Sequence, residues 1–494
     1  MLEHLPALQV VLPLVAAPLI VLARSTRFAW LATTVVSYAC LVCAALLASR
    51  VADGGAISYA LGNWPPPWGI EYRVDALSAF VLVAVSLTAS FVAPYAQRSI
   101  AAEIEPDRQY LMYAMYCLCL AGLLGMAITG DAFNLFVFLE ISSLASYVLI
   151  ALGRRRQALF AAYQYMLLGT VGATFYVIGV GLLYLVTGTL NFADLAERLR
   201  MVQDLRPVLA ALAFITVGMG LKFALFPLHQ WLPNAYAFAP SMATAFLAAT
   251  ATKVSVYVLL RYYFTVFDPA ALFERLPTRE IFLLLSVAAM VVASLAAVYQ
   301  RDVKRLFAWS SVAQVGYITL GIGLENQAGL TGSITHLLNH GVTKGAIFLL
   351  LGGVALRAGA GAVTMETLAG LGRRMPLTAL GLVVAGLSLI GLPGTAGFVT
   401  KWYLIVGALE RGAWWVVAAI AASSLIAVAY VWRVVEAAYL REAPAPAAAR
   451  REAPAGMLAA GLAMAGLCVY FGFFTSINVE GAHAAAALLL RGAQ

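Results

Sequence analysis

Long apolar runs, separated by charged residues or by Pro and Gly, recur along the whole chain. A run of about 20 apolar residues is long enough to cross the hydrocarbon core of a membrane as a helix. Counting the runs predicts fourteen membrane-spanning helices, and an even number places both termini on one side. The predicted spans lie near residues 5–23, 28–49, 74–95, 110–128, 131–152, 159–187, 207–229, 239–264, 280–299, 304–324, 330–355, 376–411, 412–438 and 455–475. The first run lacks a basic leader and a small-residue cleavage site, so we interpret it as a membrane helix and not as a removed signal.

Composition supports this interpretation. Of the 494 residues, 63% are hydrophobic and only 11% are charged, whereas soluble domains average about 25% charged residues. These values exclude a soluble multidomain protein, a disordered chain and a secreted disulfide scaffold. The fold class predicted is therefore an all-α polytopic membrane protein. Cys40 and Cys43 form a CxxC and Cys117 and Cys119 a CxC, but all four lie in apolar runs. A metal or redox pair is the alternative there, and packing is favoured.

The basic residues predict an orientation. The net charge is +8, but no cluster resembles a nucleic-acid-binding face, so we expect no nucleic-acid partner. With the N-terminus outside, 17 basic residues fall in inner loops and 10 in outer loops, which follows the positive-inside rule. The inner set is Arg24, Arg27, Arg98, Arg108, Arg154, Arg155, Arg156, Arg301, Lys304, Arg305, Arg357, Arg373, Arg374, Arg433, Arg441, Arg450 and Arg451. The outer set is Arg50, Arg73, Arg198, Arg200, Arg206, Arg261, Arg275, Arg279, Arg411 and Arg491. We therefore expect a bacterial inner-membrane protein with both termini outside the cytoplasm.

Four of the five lysines lie inside predicted spans: Lys222, Lys253, Lys344 and Lys401. Each charge there costs roughly 2.5–3.5 kcal/mol or more. Glu140 joins them, about 14 Å along its helix from Asp131 at 1.5 Å per residue. One carboxylate cannot neutralise four ammonium groups, so their protonation states depend on one another, as a proton relay requires. Snorkelling lysines near helix ends are the alternative.

Polar residues lie beside these lysines at helical spacing. His336, His340 and Lys344 are separated by four residues each and share one helix face. An HxxxH pair also suits zinc, but no carboxylate or cysteine partner is evident, so no metal site is predicted. Supporting polar residues line the preceding helix: Ser310, Gln314 and Tyr317. We expect hydrogen-bonded links that carry protons directly or through water.

Two spans carry helix-breaking residues. Pro227 follows Lys222 by five residues, and Pro393 and Gly394 precede Lys401. Matched interruptions in two halves of a transporter indicate an ion pathway between inverted repeats, although simple proline kinks are the alternative. The predicted units are N-terminal helices one to three at 1–109, a first five-helix repeat at 110–264, a second, inverted repeat at 265–438, and helix fourteen with a tail at 439–494.

Five ordered motifs resemble the antiporter-like subunits of respiratory complex I, membrane-bound hydrogenases and Mrp-type sodium/proton antiporters. The motifs are TGDAFNLFVFLEISSLASYVLIALG (129–153), LKFALFPLHQWLPNAY (221–236), ATATKVSVYVLLR (249–261), HLLNHGVTKGAIFLLLGG (336–353) and LPGTAGFVTKW (392–402). The resemblance implies that Glu140 pairs with Lys222 in a broken seventh helix. It also implies that Lys253, His336, His340 and Lys344 continue a proton pathway to Lys401 in a broken twelfth helix.

Within that family, GNWPPPWGI (62–70) and YLVTGTLNFADLA (184–196) resemble the D-type subunit of the Mrp group most closely. Lys401 stands where one complex I paralogue has glutamate, and the chain lacks the long lateral helix of the largest complex I member. The resemblance implies a proton-translocating, non-enzymatic subunit of a multisubunit cation/proton antiporter, with protons and sodium as the ions, lipid and other membrane subunits as partners, and no cofactor. The runner-up is the same subunit in a redox-driven complex. A membrane-integral enzyme such as a lipid transferase, or a passive scaffold, fits buried mid-depth lysines poorly.

Overall fold

The computed structural model describes residues 2–267, 273, 276–359, 361–442 and 451–491. Arg275 and Arg450, which the orientation argument assigned to opposite sides, lie outside these residues. Within them, thirteen helices are long and apolar enough to cross a membrane, and a broken helix supplies a fourteenth crossing. The long helices are α1 Leu5–Ala23, α2 Thr26–Gly54, α3 Ala76–Glu103, α4 Gln109–Ile128, α5 Ala132–Ala151 and α6 Arg156–Thr187. The short surface helix α7 Phe192–Leu199 follows.

The second part of the chain continues the pattern. Its helices are α8 Arg206–Phe223, α9 Leu232–Phe238, α10 Ser241–Val266, α11 Thr278–Val298, α12 Val303–Leu324 and α13 Gln327–Arg357. After two single turns, α14 Met365–Leu368 and α15 Leu371–Arg374, come α16 Pro376–Ile390, α17 Ala396–Glu410, α18 Trp414–Tyr439, α19 Ala455–Phe473 and α20 Ser476–Arg491. The last turn of α10 and the middle of α11 are π-helical. The protein is thus an all-α polytopic membrane protein, as the hydrophobic pattern predicts.

A small β-hairpin marks one face of the bundle. Strands β1 Ile57–Ala60 and β2 Glu71–Val74 pair antiparallel between α2 and α3. The buried Glu71 carboxylate accepts hydrogen bonds from Ser58 Oγ at 2.5 Å and Asn191 Nδ2 at 2.8 Å, so it ties the hairpin to the loop before α7. We call this side the hairpin face, and the opposite side, which carries Arg154–Arg156, the arginine-rich face. Helix α3 runs between them, from Asp75 at the hairpin face to Glu103 at the arginine-rich face.

A matched backbone feature relates the two halves. Asp131 before α5 forms an isolated antiparallel bridge with Asn191 before α7, and Asp302 before α12 forms one with Thr364 before α14. All four residues cap the helix that follows them. The first bridge lies on the hairpin face and the second on the arginine-rich face, because an odd number of crossings separates them. The same local structure on opposite faces is what two inverted five-helix repeats produce; the exact repeat boundaries remain a prediction.

The seventh and twelfth crossings are broken, as predicted. The seventh leaves helical geometry after Phe223, with Ala224 in the left-handed region at φ 61° and Pro227 in the gap before α9. The twelfth leaves it after Ile390, where Gly391 and Gly394 both adopt φ 84° around Pro393. Because several residues depart from the helix at each site, these are true interruptions and not simple kinks.

The C-terminal segment differs from the prediction of one helix and a tail. Helix α19 ends at Phe473, and α20 begins three residues later. Asn478 in the first turn of α20 donates a hydrogen bond to Asn339 Oδ1 of α13 at 3.0 Å, and both residues are buried. The supposed tail is therefore a further helix, which packs against α13 and α3.

Two basic residues assigned to loops are buried in helices. Arg261 of α10 forms an ion pair with Asp75, and Lys304 of α12 donates to the Ala239 carbonyl oxygen at 2.9 Å. The exposed fractions are 6% for Arg261 and 5% for Lys304. All five lysines of the chain are therefore buried. The five cysteines are also buried and free, as expected for packing residues.

Candidate functional site

Glu140 and Lys222 form an ion pair across α5 and α8. Lys222 lies in the last turn of α8, directly before the break, and its Nζ is 3.5 Å from Glu140 Oε1. The same ammonium donates to Ser143 Oγ at 2.7 Å, one turn along α5 from Glu140. The Lys222 side chain is 3% exposed, whereas that of Glu140 is 27% exposed. The pair thus joins a buried ammonium to a carboxylate that is partly exposed on the outer surface of the helix bundle.

Lys253 lies in the middle of α10 without an ion-pair partner among the described residues. Its Nζ donates to the Ala248 carbonyl oxygen and to Thr252 Oγ1, the latter at 3.3 Å. The residue is 3% exposed. A buried amine held only by neutral acceptors is costly in its charged form.

The histidine and lysine residues of α13 share one buried face, as their spacing predicts. The rings of His336 and His340 stack with centroids 5.3 Å apart, and His336 Nε2 lies 2.8 Å from Gln314 Oε1 of α12. Lys344 Nζ donates to Ser310 Oγ and to the Phe307 carbonyl oxygen. Neither ring nitrogen of His340 has a hydrogen-bond partner in the part of the chain that the structure describes.

The Lys401 side chain forms hydrogen bonds at the break in the twelfth crossing. Its Nζ donates to the carbonyl oxygens of Leu389 at 3.3 Å and Ile390 at 2.7 Å, and to Ser424 Oγ of α18 at 2.8 Å. The last carbonyls of a helix have no partner inside the helix, so the end of α16 provides acceptors for this ammonium. The group also lies 4.8 Å from the centre of the Tyr317 ring, and that ring is 6.1 Å from the ring of His336.

These contacts connect most of the predicted residues. From Lys401 they run through Tyr317 and His336 to His340, and Lys253 and Lys344 act electrostatically on both histidines. The Glu140–Lys222 pair is separate: no direct contact joins it to Lys253 among the described residues. Helices α8 and α10, which carry the two lysines, do pack against each other. The structure thus brings together one carboxylate, four lysines and two histidines in two adjoining groups.

Several buried polar residues near this site were not singled out from the sequence. His229 lies in the break after α8, stacked on Phe226 with centroids 5.1 Å apart, and its Nδ1 has no partner among the described residues. Asn339 of α13 donates to the Ala396 carbonyl oxygen at 2.8 Å and to Thr400 Oγ1 at 3.2 Å, next to Lys401. The sequence did offer a signal for each of them. His229 lies two residues after Pro227, and Asn339 lies between His336 and His340.

Residues 129–427 match a protein family described as NADH:quinone oxidoreductase/Mrp antiporter, transmembrane. The matched region contains all of the site residues named above. The chain belongs to this family. The family's description names both a quinone-reducing redox enzyme and an antiporter.

The individual relatives likewise include a subunit of a redox enzyme and a subunit of an antiporter. The chain is 44% identical, over 92% of its length and 91% of the relative, to NADH-quinone oxidoreductase subunit N of Desulforudis audaxviator. It is 32% identical to the D-type subunit of the Na(+)/H(+) antiporter of Alkalihalophilus pseudofirmus, over 73% of this chain and 72% of that protein. Among solved structures, a chain of the Mrp complex from Dietzia superposes with a TM-score of 0.89 at 27% identity, covering 99% of this chain and 97% of that one. The protein is therefore an antiporter-like membrane subunit of the Mrp and complex I family.

Proposed function

We propose that this subunit moves protons along the buried row formed by Glu140, Lys222, Lys253, the α13 residues and Lys401. The observation that carries the proposal is the burial of four amines and two imidazoles beside a single carboxylate. Buried charges of this kind are costly and are retained at ion and proton pathways. Within each of the two groups, the charge of one residue acts on its neighbours, so a change of protonation at one residue alters the next. We infer that the packing of α8 against α10 couples the two groups.

The row lies across the bundle and not along a pore. Each lysine belongs to a different helix, and each lies well inside its crossing. The two broken helices carry the lysines at the ends of this row, Lys222 and Lys401. In inverted repeats, equivalent access routes reach opposite faces, so we infer that protons enter and leave at different ends of the row.

The surface of α5 supports a role for partner subunits. Glu140 lies within an exposed apolar stripe on α5 whose other members follow helical spacing: Phe133, Val137, Leu144 and Val148. A carboxylate facing lipid is costly, so we infer that a neighbouring membrane subunit covers this stripe. The Mrp complex that contains the structural relative is a multisubunit assembly.

We propose an Mrp-type monovalent cation/proton antiporter, with sodium as the cation, as the host complex. The superposition on a chain of the Mrp complex over nearly the full length supports this host. The second candidate is a redox-driven, complex I-like assembly, which the 44% identity to a protein named subunit N favours. Affinity purification of the chain from its native membrane, followed by mass spectrometry, separates the two. Small antiporter-like subunits support the first host, and iron–sulfur subunits support the second.

Replacement of a central amine tests the proton row itself. Lys344→Met removes the amine, and we expect it to abolish proton transport by vesicles that contain the assembled complex. Leu337→Met on the same helix is the matched control, because Leu337 is buried and a Leu-to-Met exchange conserves volume. Wild-type transport in assembled Lys344→Met complex would contradict the proposal.

A further inference from the structure

Two buried side-chain amides lie in series beside the break in the twelfth crossing. Asn478 of α20 donates from Nδ2 to Asn339 Oδ1 of α13 at 3.0 Å. Asn339 donates from its own Nδ2 to the Ala396 carbonyl oxygen at 2.8 Å and to Thr400 Oγ1 at 3.2 Å. The exposed fractions of Asn478 and Asn339 are 0% and 1%. The two amides therefore join α20, through α13, to the start of α17.

The start of α17 is held from two sides. On one side, Thr400 accepts from the Asn339 amide. On the other side, Lys401, the next residue, reaches back across the break and donates to the Ile390 carbonyl oxygen and to Ser424 Oγ. A shift of this turn that breaks the bonds to Asn339 also moves the backbone that carries the Lys401 side chain. The position of the ammonium thus depends on how α17 is fixed against α13.

The orientation of the Asn339 amide depends on Asn478. Turning an amide over exchanges its acceptor Oδ1 with its donor Nδ2. A reversed Asn339 would place Oδ1 against the Ala396 carbonyl oxygen, which is also an acceptor, and Nδ2 against the Asn478 Nδ2, which is also a donor. If Asn478 turned over in step, it would lose its bond to the Phe471 carbonyl oxygen, which lies 3.4 Å away. The bond from Asn478 therefore selects the orientation in which Asn339 holds α17.

The amide pair is a costly way to pack helices inside a membrane. Asn478 Oδ1 accepts no hydrogen bond from the residues that the structure describes, and a buried carbonyl oxygen without a donor lowers stability. Replacing both partners by apolar groups of the same shape can be nearly neutral or even stabilising. Polar groups that are retained inside a membrane in spite of their cost mark functional sites.

The junction of α19 and α20 lies against the same break. Gly472, near the end of α19, is so close to Gly394 that a Cβ on Gly472 would overlap the Gly394 carbonyl oxygen. A Cβ on Gly394 would lie 3.1 Å from Phe473 Cζ. The chain leaves helical geometry directly after Phe473 and enters α20 three residues later. These contacts place the first turn of α20, which carries Asn478, beside the break in the twelfth crossing.

We propose that Asn339 and Asn478 are positioning residues, which hold the start of α17 so that the Lys401 ammonium stays at its acceptors. The inference rests on the proton row proposed above and adds two neutral residues that exchange no proton themselves. Asn478 lies outside residues 129–427, the region that matches the family. The functional part of the chain therefore extends into α20.

Matched substitutions test the proposal. Asn339→Leu and Asn478→Leu replace each amide by an apolar side chain. The controls are Thr335→Val on α13, whose buried hydroxyl has no partner among the described residues, and Leu489→Met on α20, a volume-conserving change at a buried position. The measurement is proton transport by vesicles that contain the whole complex, expressed per assembled complex.

The expected losses differ between the two amides. Asn339→Leu should lose at least about tenfold in rate, since a misplacement of about 1 Å caused by a distant change can cost about 10²-fold. Asn478→Leu should lose about two- to tenfold, the effect of one neutral hydrogen bond. Both controls should keep the wild-type rate.

A double-mutant cycle shows whether the loss acts through Lys401. Ser424→Ala removes an acceptor of Lys401, and Ser143→Ala removes the matching acceptor of Lys222. If Asn339→Leu already moves Lys401 away from Ser424, then adding Ser424→Ala should cost less than the product of the two separate fold losses. Adding Ser143→Ala should give the full product, because distant sites act independently. A general loss of helix packing would give the full product with both.

Two results would overturn the proposal: a wild-type rate in assembled Asn339→Leu complex, or the full product of losses with Ser424→Ala. Lys401→Met is measured in parallel. If it blocks transport while Asn339→Leu transports normally, the row stands and the positioning role is wrong. If Lys401→Met itself transports normally, the proposed function fails at this end of the row. Should Asn339→Leu not assemble, Thr400→Val decides, because it removes only the hydroxyl to which Asn339 donates. A wild-type rate in that variant would overturn the positioning role.

Discussion

The Nζ of Lys401 lies 2.7 Å from the carbonyl oxygen of Ile390, across the break between α16 and α17. Lys222, at the other broken crossing, stands before its break and faces the Glu140 carboxylate instead. The two breaks therefore hold their lysines by different means. One uses helix-end carbonyls, which attract a cation, and the other uses a carboxylate. Lys222 therefore has an ion-pair partner, whereas the hydrogen bonds of Lys401 among the described residues go to neutral oxygens.

Gly391 tests whether the geometry of the break positions Lys401. This glycine has φ 84°, and a Cβ added to it would lie 2.7 Å from Lys401 Cδ. Gly391→Ala should therefore displace the ammonium from its acceptors and reduce proton transport severely. Gly412→Ala is the control, because Gly412 has φ 67° but nothing lies within 4 Å of its added Cβ. Both changes carry a left-handed backbone cost of about 1–2 kcal/mol, so equal transport in the two assembled variants would argue against a role for Lys401 placement.

The Glu140–Lys222 pair predicts non-additive losses. Removing one partner of a buried pair leaves the other uncompensated, at about 3–5 kcal/mol for a fully buried pair; the partial exposure of Glu140 lowers that cost on its side. Glu140→Ala and Lys222→Ala should each abolish coupled transport in assembled complex. The double variant should be less harmful than the sum of the single variants, as a double-mutant cycle would measure. Strictly additive effects on assembly and residual transport would show that the two groups do not interact.

The buried Asp75–Arg261 pair predicts a stability effect without a transport role. Arg261 also donates to Ser78 Oγ at 2.8 Å and to the Tyr257 hydroxyl oxygen at 3.1 Å, so it joins α10 to the start of α3. Burial alone would raise the pKa of Asp75, but Arg261 and the Ser78 N–H hold that pKa below its ordinary value. The stabilisation is therefore present above pH of about 3.9 and is lost as pH falls below it.

Asp75→Asn should consequently lower the melting temperature of the purified protein in detergent at neutral pH. The control is Asp107→Asn, which removes the acidic partner of the exposed Arg108 at 3.9 Å. Exposed ion pairs contribute little, so this control should melt like wild type. An unchanged melting temperature in Asp75→Asn would contradict the stabilising role of the buried pair.

The orientation of the bundle is testable by labelling. The five native cysteines are buried, which keeps the background low in intact cells. A cysteine at the exposed position of Arg156 should react with an impermeant reagent only from the cytoplasmic side. A cysteine at Asn63, at the hairpin face, should react from outside. The opposite pattern would reverse the predicted orientation while leaving the fold unchanged.

The crossings and their breaks could be predicted because their signals are local. An apolar run of sufficient length marks a span, and Pro227 or the Pro393–Gly394 pair marks a break within it. Buried lysines are visible for the same reason, since a charge inside an apolar run stands out from its neighbours and is costly to keep there. The stacking of His336 on His340 follows directly from their spacing.

Other features depend on parts of the chain distant in sequence. Lys304 lies at a helix end and is buried only because Ala239 and Glu103 cover it, so its sequence position suggested a loop. The burial of Arg261 is explained by its ion pair with Asp75, which is 186 residues away in the sequence. Helix α20 was missed because Asn478 and other polar residues lower its hydropathy, although Asn478 hydrogen-bonds to Asn339 in the interior.

Transport by a Lys253 variant tests the proton row most directly, because α10, which carries this residue, packs against both α8 with Lys222 and α13 with the histidines. The measurement is proton transport in vesicles that contain the complete complex, with assembly confirmed for each variant. Lys253→Ala removes the titrating amine, and Lys253→Arg holds a permanent charge. We expect both variants to be blocked. A wild-type rate of proton transport in assembled Lys253→Ala complex would contradict the row.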